Sequence, residues 1–246
     1  MKWFERLYFG TWQLGGQFKN LSSAYVESLL LFAISSGIRR FDTAAVYGGG
    51  RVEEMLGSYL PEDAVIVTKI PAASKPNLES PEPIQKFYSR DGIHRSVCES
   101  LERLRRTSID TILLHNWLPT WSSEAVGILE YLNELKDQGI VKHVGISLPD
   151  NFSYPIAEAV ISHIDVIEAP FNFEQVWILQ QIPYLLNIKK EILLRSLFKQ
   201  GKLLTGPHST EAIVQNTFAL GTSVVVGMTT EEQVTQNINY LKGVVT

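Results

Sequence analysis

Four ionisable side chains in the first half of the sequence are of types that move a proton or hold a proton donor: Asp42, Tyr47, Lys69 and His115. A free tyrosine hydroxyl ionises at about pH 10, so it is a reluctant acid–base group at neutral pH. A lysine ammonium beside it favours the phenolate, and an aspartate keeps that lysine charged and oriented. A histidine can hydrogen-bond a substrate oxygen. Together these residue types predict proton donation to a carbonyl group.

The stretch RRFDTAAVYGGG, residues 39–50, places Asp42 and Tyr47 on one short connection that ends in three glycines. Each of the four residues also has a structural explanation, since aspartate is common in turns and lysine can extend its charge to a rim. All four, however, lie at or near the carboxyl ends of predicted strands. This shared position favours a catalytic role, because unrelated structural residues would scatter between both ends of a sheet.

Composition limits the class of protein. The chain has 246 residues, of which 45% are hydrophobic, and this suits a sizeable core. Its net charge of −4 provides no basic surface for nucleic acid or an anionic membrane. The single cysteine excludes an internal disulfide framework and favours a reducing, cytoplasmic location. The first sixteen residues, MKWFERLYFGTWQLGG, lack the long apolar region of a signal peptide, so we expect a soluble protein.

Short apolar runs alternate with amphipathic stretches along the chain. Runs such as AVIVTKI, TILLHN and SVVVGM are continuously apolar, which is typical of parallel strands covered on both faces. Eight strand–helix units in about 250 residues predict an α/β fold, a (β/α)8 TIM barrel in a single domain over residues 1–246. A doubly wound open sheet is the alternative, but GTWQLGG after the first strand lacks the G-x-G-x-x-G spacing.

The apolar runs predict eight strands: Leu7–Thr11, Arg40–Asp42, Ala64–Lys69, Thr111–His115, Lys142–Ser147, Val166–Glu168, Glu191–Ser196 and Ser223–Gly227. Helical periodicity predicts five clear helices, Ser22–Ser36, Arg51–Tyr59, His94–Arg105, Glu124–Gln138 and Thr230–Leu241. It also predicts three less distinct ones, Tyr154–Ser162, Glu174–Leu186 and Thr210–Ala219. In such a barrel the chemistry gathers at the carboxyl ends of the strands.

Eight segments resemble those of the aldo-keto reductase superfamily and occur in the same order. They are GTWQLGG (10–16), FDTAAVYGGGRVEEMLGSYL (41–60), VTKI (67–70), LLHN (113–116), VKHVGIS (141–147), EAPFN (168–172), RSLFKQGKLLTG (195–206) and VVVGMTTEEQVTQNI (224–238). They cover nearly the whole chain, and the spacing D-x-x-x-x-Y-G is the most specific part. The resemblance implies NADP as the cofactor, with metal-free hydride transfer from its reduced form, NADPH, to a small carbonyl compound, and NAD as the alternative cofactor.

The resemblance also assigns roles to individual residues. Tyr47 corresponds to the general acid, Lys69 to the group that lowers its pKa, Asp42 to the anchor of Lys69, and His115 to the residue that orients the carbonyl. Nine residues correspond to cofactor contacts: Ser147 at the nicotinamide carboxamide, with Glu168, Arg195, Ser196, Leu197, Gly227, Thr229, Gln233 and Asn237. Trp12 and Trp117 lie near predicted strand ends, where they are expected to contact the substrate.

Several positions depart from the family pattern. Glu168 stands where the family often has glutamine, and Arg195 stands where it often has a stacking tyrosine. The Arg-Ser pair at 195–196 resembles members associated with sugar metabolism. The loop after strand 8 shows no cation for the 2′-phosphate of NADP, which predicts weak NADP selectivity. The segment from 206 to 223 is short, so a more open site is expected.

Two other functions remain open. The same four residues could perform acid–base chemistry without a redox step, such as elimination or epimerisation in a lyase or epimerase. The chain could also be a non-enzymatic binding or regulatory relative, although the complete set of four residues argues against this. Neither the substrate nor the oligomeric state follows from the sequence.

Overall fold

A computed structural model describes residues 2–16, 20–205 and 207–242. Eight parallel strands form a closed barrel in sequential order. They are β1 (Leu7–Gly10), β2 (Arg40–Asp42), β3 (Val65–Ile70), β4 (Ile109–Leu114), β5 (Val141–Ser147), β6 (Val166–Pro170), β7 (Glu191–Arg195) and β8 (Ser223–Gly227). A helix follows each strand: α1 (Ser23–Ser35), α2 (Arg51–Tyr59), α3 (Arg90–Leu104), α4 (Val126–Asp137), α5 (Glu158–Ile161), α6 (Ile182–Asn187), α7 (Thr210–Ala219) and α8 (Glu231–Lys242). The predicted TIM barrel is confirmed. The predicted domain limits, residues 1 and 246, and the glycine at 206 lie outside the described residues.

Two of the three less distinct predicted helices, at 154–162 and 174–186, are wrong in extent. The helix expected over 154–162 is reduced to the single turn of α5, and the one expected over 174–186 divides into a 3-10 turn at Trp177–Gln180 followed by α6. Proline explains both differences, because it lacks an N–H and clashes with the preceding turn of a helix. Pro155 precedes α5, and Pro183 occupies the first turn of α6, a position where proline is tolerated.

The interior of the barrel is layered. Alternate strand residues point to the same face, so residues two apart lie one above the other. The middle layer is apolar and contains Tyr8, Val67, Leu113, Val166, Leu193 and Val225. Two residues further along the same strands come Gly10, Lys69, His115, Glu168, Arg195 and Gly227. Because side chains repeat every two residues along a strand, this layer at the carboxyl ends of the strands, which contains the charged residues, lies directly above the apolar layer.

A larger apolar core lies between the barrel and the surrounding helices. It contains outward-facing strand residues such as Phe41 and Ile112 together with helix residues such as Leu29 and Leu129. Among the described residues, no helix is both long enough and apolar enough to cross a membrane.

Helix α2 is fixed tightly to its neighbours. The buried carboxylate of Glu53 accepts hydrogen bonds from Thr68 Oγ1 of β3 at 2.6 Å and from Arg103 Nε of α3 at 2.7 Å. At Gly57 the two helices touch, since a Cβ there would lie 2.2 Å from the backbone oxygen of Arg103. These contacts hold the N-terminus of α2, and with it the turn that carries Tyr47.

Candidate active site

Tyr47 begins the 3-10 turn Tyr47–Gly50, which joins the segment after β2 to α2. The three glycines have positive φ angles of 60°, 67° and 92°, a region that favours glycine over other residues. A Cβ on Gly50 would also lie 2.9 Å from the side chain of Arg103. The glycines therefore allow the chain to turn sharply from Tyr47 into α2.

Lys69 lies beneath the mouth of the barrel and is 1% exposed. Its Nζ donates to Asp42 Oδ2 at 2.6 Å and to the backbone oxygen of Thr43 at 2.8 Å. Its third neighbour is Glu168 Oε2, at 3.2 Å. The ammonium also lies 5.5 Å from the centre of the Tyr47 ring. One buried cation is thus shared between two carboxylates and faces the phenol.

The carboxylates and Lys69 influence one another strongly. Burial would lower the pKa of Lys69, but Asp42 and Glu168 raise it above its usual value, so the ammonium stays charged. Burial and the Glu168 charge raise the pKa of Asp42 well above its usual value, although Lys69 opposes this. Burial would also raise the pKa of Glu168, but Lys69 and Arg195 lower it to about 2. Glu168 is therefore the more firmly ionised of the two carboxyls.

Tyr47 and His115 meet edge to face, with ring centres 6.4 Å apart. Burial raises the pKa of Tyr47 to about 12; Lys69 lowers it, but Asp42 and Glu168 add to the rise. Lys69 therefore lowers the pKa of Tyr47, as expected, but burial and the two carboxyls outweigh its effect. Burial, assisted by the Lys69 charge, lowers the pKa of His115 to about 3. At neutral pH the site contains a protonated phenol and a neutral imidazole.

Arg195 connects this cluster to the rim. Its Nε lies 3.0 Å from Glu168 Oε1, and its Nη atoms donate to Asp150 Oδ1 and to the backbone oxygen of Leu148. Ser147 Oγ donates to the same Glu168 oxygen at 3.0 Å. The guanidinium is thus held on several sides by acceptors of this chain. This arrangement differs from the family pattern, in which an aromatic ring often occupies the position.

A cavity of about 700 Å³ opens above these residues. On one side it is lined by Trp12, Asp42, Tyr47, His115 and Asn116, and on the other by Thr210, Thr229, Gln233, Gln236 and Asn237. Arg195, Ser196, Leu197 and Gly227 lie between the two groups. Lys69, Ser147 and Glu168 are buried and contribute no surface to it. The structure therefore brings three predicted catalytic residues and seven predicted cofactor residues to one cavity.

The α8 side of the cavity is neutral. Thr230 Oγ1 accepts from the backbone N–H of Gln233, and Gln233 Oε1 accepts from that of Thr229, so these two N–H groups at the start of α8 have partners in the chain. Glu231 points to Ser28 of α1, and Glu232 binds Gln236. Neither acid lines the cavity.

Two features suit an adenosine group more than a phosphate. Asn237 Oδ1 is buried and accepts no hydrogen bond from any described residue, so it is available to an amino group. Among the described residues that line the cavity, Arg195 is the one cation, and it is already bound to carboxylates. The described residues therefore offer an acceptor for the adenosine end of a dinucleotide, and they provide no ready partner for a 2′-phosphate.

Trp117 does not line the cavity, so the prediction that it contacts substrate is wrong. It is 1% exposed and packs edge to face on Trp121, with ring centres 5.8 Å apart. Asn116 explains the difference, because its φ of 60° reverses the chain after His115 and directs the next side chain into the core. Trp12, the other predicted substrate contact, does line the cavity.

Gln13 is a cavity residue that the sequence interpretation missed. Its Nε2 donates to the backbone oxygens of Gly10 at 2.6 Å and Met228 at 3.1 Å, which ties the β1 loop to the β8 loop. Its side chain also lies where a Cβ on Gly227 would be, at 2.8 Å. A polar residue three positions beyond the end of β1 was the available signal. Asp150, the partner of Arg195, gave no comparable signal.

The family model for the aldo/keto reductase family matches residues 6–173, which is more than half of the chain. The chain therefore belongs to the aldo/keto reductase family. Among its curated relatives is the uncharacterized oxidoreductase YcsN of Bacillus subtilis, 33% identical over 169 residues, which are 64% of this chain and 54% of the relative. Another is D-threo-aldose 1-dehydrogenase of a Pseudomonas species, 29% identical over 79% of this chain and 66% of the relative. In both cases the chain spans less than two thirds of the relative's length.

Solved structures agree on the fold. An aldo/keto reductase from Klebsiella pneumoniae, solved in complex with NADP and acetate, superposes with a TM-score of 0.71 at 19% identity. The match covers 98% of this chain and 87% of that protein.

Proposed function

We propose that the chain is an NAD(P)H-dependent reductase of an aldehyde or ketone, with Tyr47 as its general acid. The observation that carries the proposal is the shared cavity: Tyr47 and His115 line one side, and the neutral polar residues of the β8–α8 segment line the other. A cavity of about 700 Å³ is in the range of ligand sites in proteins. Family membership supports the same activity.

The four residues have distinct tasks in this proposal. Tyr47 donates its proton to the carbonyl oxygen. Because its pKa is about 12, the phenol is protonated at neutral pH before this transfer. The phenolate that remains faces the Lys69 ammonium. Asp42 holds this ammonium in place. His115, neutral because its pKa is about 3, orients the carbonyl by a hydrogen bond.

The bound dinucleotide supplies the hydride for the carbonyl carbon, so that hydride and proton together convert the carbonyl to an alcohol. On this chain, Ser147 and Glu168 line no part of the cavity, so their proposed role is indirect: Ser147 binds Glu168, and Glu168 holds Arg195, which does line the cavity. Asn237 Oδ1 is the proposed acceptor for the adenine amino group. The NADP in the Klebsiella structure supports NADP as the cofactor, whereas the neutral α8 side supports NAD as the alternative.

We propose a small polar carbonyl compound of the sugar type as the substrate. The substrate side of the cavity combines an aromatic ring, Trp12, with the hydrogen-bonding side chain of Asn116. This mixture suits a chain of hydroxyl groups beside the reacting carbonyl. The Pseudomonas relative, whose name describes an aldose dehydrogenase, supports the same class.

Cofactor binding and turnover test the proposal separately. The tryptophan fluorescence of the protein is titrated with NADH and with NADPH, and consumption of reduced cofactor is then followed with aldoses and short hydroxyaldehydes. We expect binding of at least one cofactor and aldehyde-dependent consumption. If neither cofactor binds at millimolar concentration, the reductase assignment is wrong. If the carbonyl compound is converted while the reduced cofactor is not consumed, the lyase or epimerase alternative is correct.

A further inference from the structure

Glu168 makes contacts beyond those among the four proposed catalytic residues. It is fully buried, and its two carboxylate oxygens divide between two cations. Oε2 lies 3.2 Å from Lys69 Nζ, and Oε1 lies 3.0 Å from Arg195 Nε. Lys69 therefore has a second carboxylate partner in addition to Asp42, and that partner has a cation of its own.

The charged and titratable groups that face Tyr47 come from five elements: Asp42 of β2, Lys69 of β3, His115 after β4, Glu168 of β6 and Arg195 of β7. His115 is neutral at neutral and alkaline pH because burial lowers its pKa to about 3. The remaining four groups are two cations and two carboxyls. At alkaline pH, where Tyr47 loses its proton and both carboxyls are ionised, these four charges cancel.

We propose that Glu168 is a positioning residue that, together with Arg195, sets how strongly the charge of Lys69 acts on the Tyr47 hydroxyl. The negative charge of Glu168 offsets part of the attraction between Lys69 and the Tyr47 phenolate. The positive charge of Arg195 in turn offsets part of the effect of Glu168. The inference rests on the proposed function only for its consequence in turnover. A protein with glutamine at position 168 would direct more of the lysine charge to the phenol and would have the more acidic proton donor.

Opposite shifts in two variants test this directly. 3-Fluorotyrosine is placed at position 47, and its ionisation is followed by fluorine NMR, which requires no turnover and no cofactor. The fluorine lowers the phenol pKa, so the titration can be completed before the fold is lost in alkali. Glu168→Gln removes a negative charge, and we expect the midpoint of the titration at position 47 to fall by about one pH unit or more. Arg195→Gln removes a positive charge, and the midpoint should rise.

Glu191→Gln is the matched control. Glu191 lies on β7 at the opposite end of the barrel, where it binds Tyr8 and Ser223, so its loss should leave the midpoint unchanged. The double variant Glu168→Gln/Arg195→Gln should return the midpoint close to that of the parent protein. Equal midpoints in all variants, or shifts of Glu168→Gln and Arg195→Gln in the same direction, would overturn the proposal. These readings hold whether or not the protein reduces a carbonyl compound, so a failed reductase assay is a separate result.

Discussion

Lys69 Nζ and Asp42 Oδ2 form a buried ion pair at 2.6 Å, in which the lysine side chain is 1% and the aspartate side chain 5% exposed. Their strands pair directly, with Asp42 beside Val67 in the β2–β3 ladder. Removing one partner leaves the other charge, or a protonated carboxyl, buried without compensation. The pair therefore contributes to the fold as well as to the proposed chemistry.

Lys69→Met should reduce the free energy of unfolding by about 3 kcal/mol, because it leaves Asp42 buried without its cation. The measurement is urea unfolding at neutral pH. Lys142→Met is the control, since Lys142 is largely exposed in its pair with Asp110 and its loss should cost at most about 1 kcal/mol. Equal losses in the two variants would show that burial of the Lys69 pair is unimportant for stability.

Two glycine substitutions should have opposite effects. Gly57→Ala should destabilise the protein by several kcal/mol, because its Cβ would lie 2.2 Å from the backbone oxygen of Arg103 and would force α2 away from α3. Gly127→Ala should stabilise it by about 0.5–1 kcal/mol, since nothing lies within 4 Å of a Cβ in that part of α4. Thermal unfolding of both variants checks the prediction, and a stable Gly57→Ala protein would contradict the close contact.

His115 should make the fold less stable in acid. Because burial lowers its pKa to about 3 from an ordinary value of 6.5, the unfolded chain binds a proton there between these pH values and the folded chain does not. Stability is therefore lost as the pH falls through this window, by up to about 1.4 kcal/mol per pH unit. Urea unfolding between pH 7 and pH 4 should show a shallower decline for His115→Gln. Parallel declines would contradict the burial of a neutral imidazole.

A cation at position 233 should change the cofactor preference. Gln233 lines the neutral side of the cavity, in the segment after β8 that shows no cation for a 2′-phosphate. Gln233→Arg is expected to strengthen NADPH binding about tenfold, since one charge-assisted hydrogen bond contributes about 1.5–3 kcal/mol before its costs. NADH, which lacks the 2′-phosphate, is the matched ligand and should bind as before. A gain shared equally by NADH and NADPH would mean that the arginine does not meet the 2′-phosphate.

Much of the fold was predictable because the apolar runs and their strand period determine where the strands lie. The predicted bounds of β2, β8, α2 and α7 agree with the structure. The positions of Lys69 and His115 also followed, since each lies two residues beyond an inward-facing apolar residue. Helices α5 and α6 were less predictable because proline interrupts weakly amphipathic segments there.

The electrostatics of the site could not be predicted from residue types. Glu168 has two cationic neighbours because β6 pairs with β7, which carries Arg195, and because its side chain reaches Lys69 of β3 inside the closed barrel. No local sequence pattern shows these distances. The net rise in the pKa of Tyr47 likewise depends on how deeply the ring is buried. The direction of the Trp117 side chain could not be predicted either, because it depends on the positive φ angle of a single residue, Asn116.

Turnover by the Tyr47→Phe protein tests the central claim most directly. The variant removes the hydroxyl and keeps the ring, so cofactor affinity should be retained while aldehyde-dependent consumption of the reduced cofactor falls by at least about a hundredfold. Tyr184→Phe is the control, because Tyr184 lies on the exposed face of α6, where it binds Glu158. It should behave as the parent protein does. Turnover by Tyr47→Phe equal to that of the parent would contradict the assignment of Tyr47 as the proton donor.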